Sequence, residues 1–176
     1  MKRRLIFAAA VVLSTILVLV KKPLSYSSSQ QKKGRSTCIN RKPVILVDTR
    51  AHELLMCDMG IGSKVYSIRI GRGGSGKARQ GDNKTPLGIY SVGAPRQSRK
   101  FGIFIPIGYP TEKQKKAGFS GGDVGIHGPH RLLRWAGSLN SVFDTSEGCV
   151  GVSSDQEIKE IADWVSRHMP LEVHIE

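Results

Sequence analysis

Beyond residue 43 the apolar residues come in runs of four to seven, and glycine or proline interrupts the chain around them. Runs that short cannot carry the long apolar stripe of a helix, but they suit strands that cross one core. They fall at residues 44–47, 53–57, 64–70, 87–92, 101–107, 124–127, 148–152 and 171–175. In the third, Val65, Ser67 and Arg69 alternate with Tyr66, Ile68 and Ile70, the pattern of a strand buried on one side. The turn-rich segment 48–52 reads as the bend of a hairpin that sets Cys57 opposite Val44. Such punctuation favours a mainly β sandwich or barrel over βαβ layers. One helix is legible: Ser154 and Glu157 form a capping box, and Ile158, Ile161, Ala162 and Val165 follow at helical spacing, with Trp164 packing nearby. A second short helix or turn is expected over residues 131–136, and no internal repeat is evident.

The N-terminus has a different character. Lys2, Arg3 and Arg4 precede a 16-residue stretch, 5–20, that is rich in apolar residues. As a helix it would be about 24 Å long, slightly short of a ~30 Å hydrocarbon core. Residues 1–22 therefore read as a signal peptide or a short membrane anchor. No A-x-A cleavage pattern follows, which favours the uncleaved anchor. Residues 23–42 are polar and basic and read as a flexible tether, leaving 43–176 as one folded domain. The net charge of +13 is unevenly spread: residues 1–50 hold eleven basic and one acidic residue, residues 151–176 two and six. Basicity concentrated beside an anchor suits a membrane surface or an anionic envelope polymer. No helix-turn-helix, zinc finger or aromatic-interleaved basic strand accompanies it, so no nucleic-acid partner is expected. With three cysteines in an exported domain, one stays unpaired. Cys38 lies six residues beyond Val44, so a straight continuation of the first strand disfavours a Cys38–Cys57 bridge.

Three motifs bear on chemistry. The run 71–78 satisfies G-x-G-x-x-G and nearly a phosphate-binding loop, yet Ala78 stands where a magnesium-binding hydroxyl is needed and no helix follows. It reads as a flexible loop beside a site. Asp123, His127, His130 and Cys149 could form a metal site, although the proline in His127-Gly128-Pro129-His130 breaks the helical spacing of zinc-protease motifs. His52, His168 and His174 read as turn, helix-end and strand positions. The third motif is Ser146-Glu147-Gly148-Cys149-Val150, with Ile126-His127-Gly128 upstream. A lone cysteine is commonly a small core residue. Here Gly148 permits a sharp turn, and successive backbone N–H groups can point at one oxygen. A histidine is available as base if the fold closes the 22-residue gap.

At these residues the chain resembles the L,D-transpeptidase family, whose catalytic domain is of the YkuD type. The match runs over residues 43–176 through four ordered stretches: the hairpin from Val47-Asp48 to Leu54-Leu55, the segment 81–90 with Thr85-Pro86-Leu87-Gly88-Ile89-Tyr90, the histidine motif and the cysteine motif. The resemblance implies a β-rich mixed sheet with a short capping helix, acting on peptidoglycan stem peptides as donor and acceptor. It implies Cys149 as nucleophile, His127 as base and then acid, and Gly128 as the carbonyl that orients the imidazole. Ser146 would support the site, and the Gly148 and Cys149 N–H groups would form the oxyanion hole. No metal or organic cofactor is implied.

The chain departs from the family pattern at Glu147, where histidine is common, and at Gly151, where arginine is common. Arg131 or Arg134 is the expected source of the missing charge, with Tyr109 a further candidate substrate contact. The expectation is a monomeric, exported cysteine transpeptidase held to the inner membrane by residues 5–20. The alternatives are a carboxypeptidase or other peptide hydrolase on the same fold, and a non-catalytic envelope-binding domain.

Overall fold

Five residues of β1 (Val44–Asp48) and six of β2 (Glu53–Asp58) form the expected hairpin, with Val44 opposite Cys57 and Asp48 opposite Glu53. The structure, a computed structural model, describes Cys38 and residues 42–131 and 146–176, with Ser63 and Lys64 by backbone alone. Segment 1–22, most of the tether, Arg134 and most of the expected helix at 131–136 lie outside the described residues. Among those described, no helix is long and apolar enough to cross a membrane.

The remaining strands are β3 (Ile61–Arg69), β4 (Gly88–Val92), β5 (Arg96–Ser98), β6 (Gly102–Pro106), β7 (Gly125–His127), β8 (Val150–Val152) and β9 (Leu171–Ile175). They form one mixed sheet in the order β4-β9-β1-β2-β3-β8-β7-β6-β5, parallel at β1–β9 and β7–β8. Long β3 joins its halves, pairing β2 through Ile61–Ser67 and β8 through Ile68 and Arg69. The sheet curls until Val92 bridges Ile107, where the Gly93 N–H donates to Pro106 O (2.8 Å) and the Gly108 N–H to Ser91 O (2.9 Å). The mainly β, barrel-like reading therefore holds. Strand β5 was not expected, because Arg96-Gln97-Ser98 carries no apolar residue; pairing with β6 alone makes it a strand.

Two helices accompany the sheet. In α1 (Glu112–Lys116) Thr111 and Gln114 cap each other reciprocally; in α2 (Asp155–His168) Ser154 and Glu157 do so. Ile158, Ile161, Ala162, Trp164 and Val165 of α2 are buried in one core with Ile45, Val47, Leu54, Ile68, Val150, Val152 and Val173. The Tyr66 hydroxyl donates to Glu160 (3.1 Å), tying α2 to β3.

Contrary to the sequence expectation, Cys38 and Cys57 are bonded, with Cα atoms 5.3 Å apart. Strand arithmetic assumed that the chain continues the line of β1, which would leave Cys38 about 20 Å beyond Val44. Cys38 lies instead beside β2, at Cys57. Burial accompanies the covalent bond: Cys38, Val44, Leu55 and Cys57 form a small apolar cluster, with Leu46 and Val65 against it, separate from the main core.

Candidate active site

Parallel pairing of β7 with β8 closes the 22-residue gap. Ile126 lies beside Val150 and His127 beside Gly151, which sets Cys149 just outside β8 at the level of Gly125. Side chains alternate, so Cys149 and His127 project from the same face as diagonal neighbours, with Cα atoms roughly 8 Å apart. Both line one cleft of about 1040 Å³.

His127 is 5% exposed. Its Nδ1 lies 2.7 Å from Gly128 O, and because a carbonyl only accepts, Nδ1 carries the proton. The lone pair is left on Nε2, which is buried and has no hydrogen-bond partner among the described residues. The ring stacks on Phe101, centroids 3.7 Å apart. Gly128 is held in turn by α2 and by the loop before β6. A Cβ there would come within 2.8 Å of Ile158 Cγ2 and 3.1 Å of Phe101 O. Burial pushes the imidazole down to about 4; the Gly128 hydrogen bond opposes this, and Arg69, Lys100 and His130 add to it. At neutral pH His127 is thus an uncharged base with its acceptor nitrogen free.

Cys149 is the half-buried free thiol, and its Sγ lies 3.5 Å from Asp123 O. Burial pushes its pKa up, opposed by the Gly125 N–H and Lys100, while Asp123 and Glu147 reinforce the rise. The resting pair is therefore neutral thiol and neutral imidazole rather than an ion pair. Ser146 shapes the turn in front: its Oγ accepts from the Gly148 N–H (3.1 Å) and donates to Cys149 O (2.6 Å). Gly148 has φ +128°, and a Cβ on it would lie 2.5 Å from Lys84 O, so the turn admits only glycine. The Gly148 N–H, expected with that of Cys149 to form an oxyanion hole, is thus engaged by Ser146.

The glycine-rich loop buttresses that turn and is not loose. Asp82 accepts from the Lys77 ammonium (2.9 Å) and from the backbone N–H groups of Ala78, Arg79 and Lys84. Burial works against the Asp82 charge, but the Arg79 N–H, Lys77 and the other donors outweigh it and hold the carboxyl far below the usual carboxylate range. Thr85 is fully buried; its Oγ1 accepts from the Gly71 N–H (2.8 Å) and its N–H donates to Gly74 O (2.8 Å). The Arg72 N–H then donates to Ser146 O (2.9 Å), joining loop and cysteine turn. Gly71 and Gly73 serve this close packing, since a Cβ on them would run into Asn83 O and Asp82 O respectively, while Gly74 and Gly76 supply positive φ in open space. The loop is thus a hydrogen-bonded buttress rather than the flexible loop expected.

Of the expected substrate contacts, Arg134 lies outside the described residues. Tyr109 is buried, its hydroxyl 3.4 Å from both Lys77 O and Ser120 O. Arg131 lays its guanidinium against Gly102, and neither residue lines the cleft. Among the described residues, the lysine and arginine side chains that line the cleft are Arg69, Arg72, Lys77, Arg96 and Lys100. Strand alternation put Arg69 on the solvent side; pairing of β3 with β8 turns that face into the cleft wall. Phe101 was legible only as the first residue of the apolar run 101–107, with nothing to mark it as the partner of the His127 ring.

Comparison with known proteins agrees with this geometry. Two structures of the helical cell shape determining protein Pgp2 from Campylobacter jejuni are 25% and 22% identical to this chain, with TM-scores of 0.61 and 0.62. The matches cover 76% and 85% of this chain and 46% and 56% of those chains. Bd1075 from Bdellovibrio bacteriovorus is 23% identical with a TM-score of 0.54, covering 76% of this chain and 47% of that one. The chain thus spans about half the length of these solved relatives. No curated protein matches it. The model of the L,D-transpeptidase catalytic domain matches residues 42–173, so the histidine and cysteine that meet across β7 and β8 belong to a member of the YkuD-type L,D-transpeptidase family.

Proposed function

We propose that this protein is a cysteine L,D-transpeptidase of peptidoglycan, working through a thioester on Cys149. One observation carries the reading: His127, whose tautomer is set by Gly128 O and whose Nε2 is buried without a partner, lines the same cleft as the only free thiol among the described residues. As Sγ attacks the carbonyl ahead of the terminal D-alanine of a stem peptide, it gives its proton to His127 Nε2. The Cys149 N–H stabilises the tetrahedral oxyanion. Collapse breaks the C–N bond, His127 returns the proton to the departing amine, and D-alanine leaves. An amine of a second stem peptide then attacks the thioester, passes a proton through His127 to the thiolate, and completes a crosslink. Water in its place gives a carboxypeptidase. Neutral reactants suit this order, since the thiol needs its base only when it attacks.

The substrate class supports a site of action in the cell envelope. Residues 1–22 then serve as anchor or signal and 23–42 as tether to the inner membrane. The test is mass spectrometry of the protein with defined muropeptides and with a carbapenem-type β-lactam. Acyl adducts on Cys149, crosslinked products and their loss in Cys149→Ser are expected. An unmodified thiol with intact muropeptides would remove the enzymatic reading in favour of a binding domain.

A further inference from the structure

A row of residues crosses the sheet at one level: Arg69 pairs with Gly151, Gly151 with His127, His127 with Phe104, and Phe104 with Arg96. All five line the cleft. Paired positions share a face, so the row would be a continuous wall of side chains but for Gly151. That gap lies between Arg69 and His127. A Cβ on Gly151 would lie 3.4 Å from His127 Cε1, 3.5 Å from Arg69 Nη2 and 3.6 Å from Arg69 Nε. Guanidinium and imidazole thus flank a methyl-sized space. Arg69 is 8% exposed, and its Nη2 donates to Val152 O at 3.0 Å, which fixes the plane of the group.

We infer that Arg69 is a specificity-determining residue that binds the free α-carboxylate of the departing amino acid. The inference rests on the transpeptidase reading above. In that reaction the departing nitrogen must sit at His127 Nε2 to receive its proton. In an α-amino acid the carboxylate is attached to the same carbon as that nitrogen, so it falls beside the imidazole. Among the described residues, the cation that faces the imidazole across the empty position of Gly151 is Arg69. A planar guanidinium held by a backbone carbonyl suits a carboxylate, with geometry a mobile lysine does not offer. Among the described residues, the acidic side chains that line the cleft are Asp123 and Glu147, and both act on Cys149. A larger residue at 151 would enter the gap, so Gly151 and Arg69 act together: the glycine leaves the room and the neighbouring strand supplies the charge.

The enzyme then requires that the scissile bond precede the last residue of the peptide, and that this residue carry a free carboxylate. The test measures kcat/KM for release of the terminal residue from a stem tetrapeptide and from its C-terminal carboxamide. The wild-type protein is expected to prefer the free acid by about 10–100-fold, the range of a charge-assisted hydrogen bond. Arg69→Gln should compress that ratio toward one, chiefly by loss on the free acid, and Arg69→Lys should retain part of it. A merely structural Arg69 would lower both rates together and leave the ratio unchanged, which overturns the assignment. Should Arg69→Gln not fold, Gly151→Val fills the same gap; it should compress the ratio, and an unchanged ratio counts against the role. Equal wild-type rates on both peptides sink the role of Arg69 alone. Release from neither sinks the transpeptidase reading with it.

Discussion

His127 shows how one residue's surroundings set its chemistry. An imidazole in water titrates near pH 6.5, but burial and nearby cations lower this one to about 4. The sign follows directly: the base form is the neutral one, so activity is present above that value and falls as pH drops through it. We predict that kcat/KM stays level from neutral pH down past 6 and loses half its value near pH 4–5. An inflection near 6.5 in a pH–rate profile would mean that burial does not govern the base. Cys149 and His127, the proposed reacting pair, were legible as residue types, because a thiol preceded by glycine and an isolated glycine-flanked histidine stand out from strand composition. Arg69 was not, because alternation marks which side of a strand a residue takes but not what faces that side.

Among the elements, the segment 71–86 contributes most to the site without touching the reacting atoms. Its backbone closes around Asp82, and its Lys84 carbonyl occupies the place of a Gly148 side chain. Asp82→Asn keeps the shape but removes the charge that Lys77 and three N–H groups share, at a cost of about 1–3 kcal/mol. Because the folded carboxyl has a depressed pKa, its contribution is complete above roughly pH 4 and is lost as pH falls below that. Urea titrations of Asp82→Asn and wild type should differ at pH 7 and converge toward pH 2; curves equally spaced at both pH values would refute the charge argument. The capping box of α2 was visible in sequence because Ser154 and Glu157 act within one turn. The reciprocal cap of Thr111 and Gln114 on α1 was passed over because no apolar periodicity follows it.

At the scale of the molecule, the two apolar clusters divide the labour. The main core lies between α2 and the sheet and carries the strands that hold the site, while the Cys38–Cys57 cluster sits apart from it. Cys38→Ser opens a loop closed over a sequence separation of 19 and should lower stability by about 3 kcal/mol. The rate of Cys149 alkylation at 25 °C should nevertheless match that of wild type. Thermal melts together with alkylation kinetics test this, and a slowed alkylation would mean that the second cluster supports the cleft after all.

Short glycine-punctuated apolar runs, turns and caps were enough by themselves to determine a β-rich domain, the first hairpin register and helix α2, and residue chemistry singled out Cys149 and His127 as candidates, since all of these are local properties. Only the tertiary structure decided that β7 and β8 pair in parallel, that Cys38 returns to Cys57, that the glycine-rich loop is clamped by Asp82, and that Arg69 rather than Arg131 stands beside His127. Apart from the Asp82 clamp, which acts within its own loop, those are contacts between residues 19 to 83 positions apart, and no local pattern encodes which strand a given strand will meet. Their outcome depends on how the whole sheet curls to bury one face.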